Sequence, residues 1–215
     1  MNALYDDLLV DWFQKNSSDW TKEANNSQLD NKQPEENKQP ERVYGVGNGR
    51  HGQLADAGRR CPIPQELKQL KMASFVAAGL HCTFMIDQDG QVKACGEGTF
   101  GRLGLGSSDD VYQMTNVTGL QGYIIRYINT SKGGDGHTLA ISDSGEVLSW
   151  GDGDYGKLGH GNNERQRRPK IIETLSNIHV IKAGTGWNHT VVLTKQGKVY
   201  SFGYRVFFLK CRILG

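Results

Sequence analysis

The side chains that could do chemistry in this chain cluster in and around glycine-rich stretches. Gly96-x-Gly98-x-x-Gly101 and Gly151-x-Gly153-x-x-Gly156 each follow an apolar run and fit the spacing that lets a backbone close on a pyrophosphate. That chemistry needs a helix directly after the glycines, because the phosphate rests on the N–H groups of its first turn. The continuations are Arg102-Leu103-Gly104-Leu105-Gly106 and Lys157-Leu158-Gly159-His160-Gly161. Glycine disfavours helix by roughly 1 kcal/mol relative to alanine, so neither a helix nor a nucleotide site is expected there. Gly134-x-x-His137-Thr138 and Gly186-x-x-His189-Thr190 repeat one pattern, and Gly79-x-x-Cys82-Thr83 repeats it with cysteine, leaving His81 one place out of register. A metal or catalytic role common to the two histidines does not survive that replacement. They are expected to be half-buried rings hydrogen-bonded to backbone at the edge of a strand.

The remaining candidates are weaker. The pairs Asp109-Asp110 and Asp152/Asp154 could bind a cation, but the commoner reading for such pairs is solvated loop carboxylates. The run Arg165-Gln166-Arg167-Arg168-Pro169-Lys170 is the densest positive patch. It is expected as an exposed loop before a strand opening at Pro169, with Arg165, Arg167 and Arg168 the candidate contacts to an acidic protein surface. There is no G-x-S-x-G, P-loop lysine or H-E-x-x-H motif. No catalytic, cofactor-binding or metal-ligating residue is therefore assigned, and no cofactor is expected. Cys82 and Cys95 sit in strand-like apolar runs, where a buried, reduced thiol is expected.

The elements that position these residues recur. His137 to Gly161 reads as two strands, Thr138–Ile141 and Val147–Trp150, joined by Ser142-Asp143-Ser144-Gly145 and followed by a glycine loop. Cys82 to Gly106 repeats it upstream, and His189 to Gly203 repeats its first part downstream. The turn glycines Gly90, Gly145 and Gly197 are 55 and 52 residues apart, as are Gly96, Gly151 and Gly203. An earlier loop, Tyr44 to Leu54, fits with one residue inserted when anchored on Gly52-Gln53-Leu54. Apolar segments 75–78, 124–128 and 178–182 supply a further strand to each unit. Units of about 50 residues with roughly four short strands point to propeller blades, none of which buries its apolar face alone.

Composition bounds the domains. The chain has 215 residues and 28 glycines, roughly twice the usual ~7%. None lies in residues 1–42, which carry 5 Lys/Arg against 9 Asp/Glu; residues 43–215 carry 20 against 14. A net charge of +6 on the repeats is well short of a dedicated nucleic-acid binder. Residues 3–13 have helical apolar periodicity, suited either to packing on their own domain or to docking a partner. The polar stretch 14–42 reads as a disordered linker. No signal peptide and no apolar run of ~20 residues is visible, so a cytoplasmic protein is expected, with the nucleus as the alternative.

Together, GEGTFGRLGLG and WGDGDYGKLGHG, each reached through a G-x-x-(H/C)-T strand and a D/S-x-G turn, resemble repeats of the regulator of chromosome condensation family. The recurring set comprises Gly96, Gly98, Gly101, Leu103 and Gly104, then His137, Trp150, Gly151, Gly153, Gly156, Leu158 and Gly159, then His189 and Gly203. Coverage runs over 43–203. The resemblance implies an all-β fold, a partial β-propeller of about three blades of a seven-bladed type, with a helical or disordered N-terminal extension. The stretches QELKQLKMASFVAAGLHCTFMIDQDGQVKACGEG and GDGDYGKLGHGN-x-x-RQRRP are similar to the first such propeller of the giant HECT-type (large HERC) ubiquitin ligases. Their transfer cysteine lies in a separate domain that nothing here matches, so the resemblance implies a non-catalytic, protein-binding segment. Its implied partners are ubiquitination substrates or a small GTPase, with guanine-nucleotide exchange or chromatin association as alternatives. Residues 204–215 match nothing in the repeat, and the sequence reads as a truncated chain.

Overall fold

The computed structural model describes residues 42–56 and 58–204. These residues fall in one compact unit, Pro40–Gly215. The helix expected in 3–13, the linker expected over 14–42 and the tail expected over 204–215 lie outside the described residues, save for Arg42 and Tyr204. Thirteen strands are described: β1 Tyr44–Asn48, β2 Arg60–Glu66, β3 Ala73–Ala78, β4 Cys82–Asp87, β5 Val92–Gly96, β6 Val111–Asn116, β7 Ile125–Thr130, β8 His137–Ser142, β9 Val147–Gly151, β10 Gln166–Ile171, β11 Val180–Thr185, β12 His189–Thr194 and β13 Val199–Gly203. They form antiparallel meanders in four sheets: β1-β2, β3-β4-β5-β6, β7-β8-β9-β10 and β11-β12-β13. The about three blades expected thus appear as two complete sheets and two partial ones. No helix among the described residues is long and apolar enough to cross a membrane.

Each tight hairpin has one local cause. Its first residue offers a side-chain oxygen to the backbone, and its fourth is a glycine in the left-handed region. Asp87 Oδ1 accepts from the N–H of Asp89 and Gln91, and Gly90 has φ 78°. Ser142 Oγ accepts from Glu146 N, with Gly145 at φ 86°; Thr194 Oγ1 accepts from Lys198 N, with Gly197 at φ 77°. A Cβ resists that conformation, so glycine fixes the turn and with it the register.

The core is divided into layers between successive sheets. Leu67, Leu70, Met85 and Cys95 fill the first layer. Phe84, Ile86, Leu103, Ile128, Leu148 and Trp150 fill the second. Leu139, Ile141, Val147, Ile172 and Val192 fill the third. Because side chains alternate along a strand, β4 sends Met85 to one layer and Phe84 and Ile86 to the next. A strand with a neighbour on both sides must be apolar at successive positions, and every residue of β8 is buried.

Two expected boundaries move, and one expected insertion is corrected. The third inner strand starts at Val180, because the 3-10 turn Glu173–Leu175 is followed by an Ile178 N–H bond to the Leu175 carbonyl. The strand placed at Pro169 begins at Gln166, so Arg167 and Arg168 lie within a sheet-edge strand and not in a solvated loop. No residue is inserted in the first loop: Gly47, Gly96, Gly151 and Gly203 share φ of 104–116° at one position, which puts Gly49 and Gly52 level with Gly98 and Gly101.

Candidate functional site

The recurring residues meet at the seams between sheets. Leu103 and Leu158, in the glycine loops, are each 1% exposed. Glycine at positions 98 and 153 is a matter of space, since φ there is an ordinary −92° and −105°. A Cβ at Gly98 would strike the Asp109 carbonyl oxygen, and one at Gly153 the Glu164 carbonyl oxygen. At Gly104 and Gly159, a Cβ would lie 2.8 Å from Trp150 Nε1 and 2.9 Å from the Phe202 ring. The first loop has Ala55 at this position, at φ 52°, and its partner across the seam is the small Cys95. Side-chain volume is thus exchanged between the two sides of the seam. Gly101 meets the Arg167 backbone at 2.8 Å, while Gly156 sits at φ 73° with no close neighbour.

A polar contact recurs at each seam. The hydroxyls of Thr83, Thr138 and Thr190 reach back to the main-chain carbonyls of Gln53, Arg102 and Lys157 at 2.6, 3.2 and 2.8 Å. Those three acceptors occupy one register position, after Gly52, Gly101 and Gly156. Trp150 adds its indole N–H to the Arg102 carbonyl at 2.9 Å. Buried carbonyls that no strand pairs are thereby satisfied by the next sheet.

At the last seam the polar cluster is fully buried. Lys157 is 0% exposed and paired with Asp152. His137 Nε2 lies 2.8 Å from Thr190 Oγ1. The threonine proton goes to the Lys157 carbonyl, so Nε2–H donates and Nδ1 holds a lone pair with no partner among the described residues. Burial, with the Lys157 charge adding to it, lowers the His137 pKa to about 3. The expected half-buried ring bonded to backbone is corrected: His137 is wholly buried and bonds a side chain of the next sheet. His189, at the same place in its repeat, is exposed. Asp152 is likewise not a solvated loop carboxylate. Burial raises the Cys82 thiol and pushes Cys95 up to about 12, so neither is a ready nucleophile.

The arginines chosen as protein contacts serve the seam as well. Arg165 stacks over the Phe100 ring at 4.6 Å, Arg167 Nε lies 3.3 Å from Ser108 Oγ, and Arg168 lies 3.5 Å from Thr118 Oγ1. Each reaches the preceding sheet's loops. The sequence offered no signal for these partners, which lie 50–65 residues away. Several exposed apolar side chains lie on another side of the sheets. The turns before β4, β8 and β12 adjoin the glycine loops through Glu97 N–H to His81 O, Asp152 N–H to Gly136 O and Tyr204 N–H to Asn188 O. On that side Leu80, Tyr155 and Tyr204 are exposed, and Trp187 is 68% exposed.

Residues 144–193 match the family model described as regulator of chromosome condensation (RCC1) repeat. That span covers β9 and β10 of one sheet and β11 and β12 of the next, so the matched repeat includes a whole seam. The chain belongs to the RCC1 repeat family. It is 33% identical over 201 residues to E3 ubiquitin-protein ligase HERC2 of Homo sapiens, covering 92% of this chain and 4% of that protein. The crystal structure of human WBSCR16 matches with TM-score 0.67 and 26% identity, over 75% of this chain and 42% of that one. Prp20p from Saccharomyces cerevisiae, in a crystal structure described with its binding properties to Gsp1p and histones, shares the fold at TM-score 0.63 and 22% identity, over 75% of this chain and 41% of that one. The chain therefore spans less than half of each of these proteins. It is an RCC1-type propeller module related to the HERC ligases.

Proposed function

We propose that this chain is a non-catalytic protein-interaction segment of a HECT-type E3 ubiquitin-protein ligase, acting in the cytoplasm. The observation that carries the reading is the 33% identity to HERC2 over 92% of the chain. The buried, high-pKa settings of Cys82 and Cys95 agree with it, because ubiquitin transfer needs an accessible thiolate. The binding side is the one bearing Leu80, Tyr155, Trp187 and Tyr204, since exposed aromatic side chains dominate interface energies. The partners are ubiquitination substrates or their adaptors.

The test is affinity capture with three forms of the chain. Proteins held by the wild type and by Lys198→Ser, on the opposite hairpin turns, should be lost from Trp187→Ser/Tyr155→Ser. Equal capture by all three would contradict the reading. Charging with a conjugating enzyme should leave no ubiquitin thioester on the chain. A second reading, regulation of a small GTPase, is favoured by the likeness to Prp20p with its described binding to Gsp1p. Accelerated nucleotide release from a small GTPase would select it, and selective capture of histones would select a chromatin-associated module.

A further inference from the structure

We propose that His51, His81 and Glu97 form a binding site for a divalent cation of the zinc class across the first seam. One nitrogen of each histidine and a carboxylate oxygen of Glu97 all lie within 4.8 Å of one another. The two imidazole centroids are 5.0 Å apart. Zinc–ligand bonds of about 2.0–2.2 Å hold ligand atoms roughly 3.3–3.5 Å apart, so small side-chain rotations close the set. His51 comes from the loop after β1, His81 from the turn before β4, and Glu97 from the loop after β5. The last two are tied by Glu97 N–H donating to the His81 carbonyl at 2.8 Å. All three are part-buried.

A second residue prepares the site. Asp110 Oδ2 lies 3.1 Å from His51 Nδ1, and Asp110 Oδ1 accepts from Gly98 N at 3.0 Å. A carboxylate that accepts a hydrogen bond from Nδ1–H leaves the lone pair on Nε2 and orients the ring, as carboxylates behind metal-bound histidines do. Arg102 Nη1, 3.4 Å from Glu97 Oε2, fixes the glutamate through one oxygen and leaves the other for a cation. A cavity of about 290 Å³ lined by Asn48, Gln53, Leu80, His81 and Thr83 opens beside the set and admits water as a fourth ligand. Two imidazoles and one carboxylate suit zinc or cobalt over magnesium or calcium.

The repeat supplies the comparison. The same positions at the second seam hold Phe100, Gly136 and Asp152, with Arg165 in the place of Asp110 and stacked on Phe100. At the third they hold Tyr155, Asn188 and Tyr204, whose two tyrosine rings meet at 4.8 Å. The fold brings these positions together at each described seam, and only the first fills all three with ligand side chains; the second keeps the Asp152 carboxylate, which is paired with Lys157. The other two seams pack without histidine at these positions.

The test is titration of the metal-stripped 215-residue chain with Co²⁺, read by its visible absorption, then displacement by Zn²⁺. One equivalent should bind, and Zn²⁺ should raise the wild-type melting temperature. His51→Phe and His81→Asn introduce residues that the other repeats carry at these positions, so folding is retained while one-equivalent binding is lost. Asp110→Asn should weaken binding 10–100-fold with all three ligands in place, and His179→Gln should leave it unchanged. No one-equivalent cobalt spectrum in the wild type, or a spectrum unchanged in His81→Asn, would overturn the proposal.

Discussion

At the residue scale, burial sets the behaviour of His137. Its folded pKa of about 3 lies below the ordinary 6.5 because the charged ring would be desolvated beside Lys157. The unfolded chain therefore takes up the proton first. The stability held above pH 6.5 falls as the pH drops toward 3, by up to about 1.4 kcal/mol per unit. Urea unfolding at several pH values should show this slope in the wild type and a flatter one in His137→Gln, whose side chain carries no titrating group. Identical slopes would mean that His137 is not held neutral. Gly153→Val and Gly98→Val should each destabilise by 1–3 kcal/mol or more, because the new Cβ meets a main-chain carbonyl that cannot rotate away. Arg167→Ala, which leaves a long exposed contact to Ser108, should change stability by less than about 0.5 kcal/mol. Thermal melts separate the two classes.

At the element scale, the seam is the unit of stability. Thr190 Oγ1 bonds both the Lys157 carbonyl and the His137 ring at 2.8 Å. Thr190→Val keeps shape but leaves two buried polar groups unpaired, for a loss of about 2–3 kcal/mol. Thr83→Val removes only the bond to Gln53 and should lose about 1 kcal/mol. Equal losses would contradict this ranking. The hairpins were legible in the sequence because their causes are local: Asp87, Ser142 or Thr194, with a glycine three residues on. The seam partners were not. Thr138 and Arg102 are 36 residues apart, and no local pattern announces a carbonyl acceptor or a ring stacked on Gly104. The His81–His51 pairing is hidden for the same reason, since the two lie 30 residues apart on different sheets' loops. The arginine run read as loop because charge suggests solvent, whereas β10 is an edge strand that carries charge on its exposed side.

At the scale of the whole molecule, each sheet is built to have a neighbour. His137, Leu139 and Ile141 on β8 are at most 2% exposed, because β11 and β12 cover them. On β12 the corresponding His189 is exposed and Val191 and Leu193 are only part-buried, while Val199 and Tyr200 of β13 are exposed. Among the described residues nothing covers that face. An apolar sheet face left open tends to associate, so the 215-residue polypeptide should do so through β12 and β13. The direct measurement is sedimentation velocity on the purified chain across the micromolar range, beside His189→Glu/Val191→Glu. The account predicts concentration-dependent association of the wild type that the double variant relieves. A wild-type monomer at every concentration, melting cooperatively, would contradict the claim that its sheets are seam-forming units.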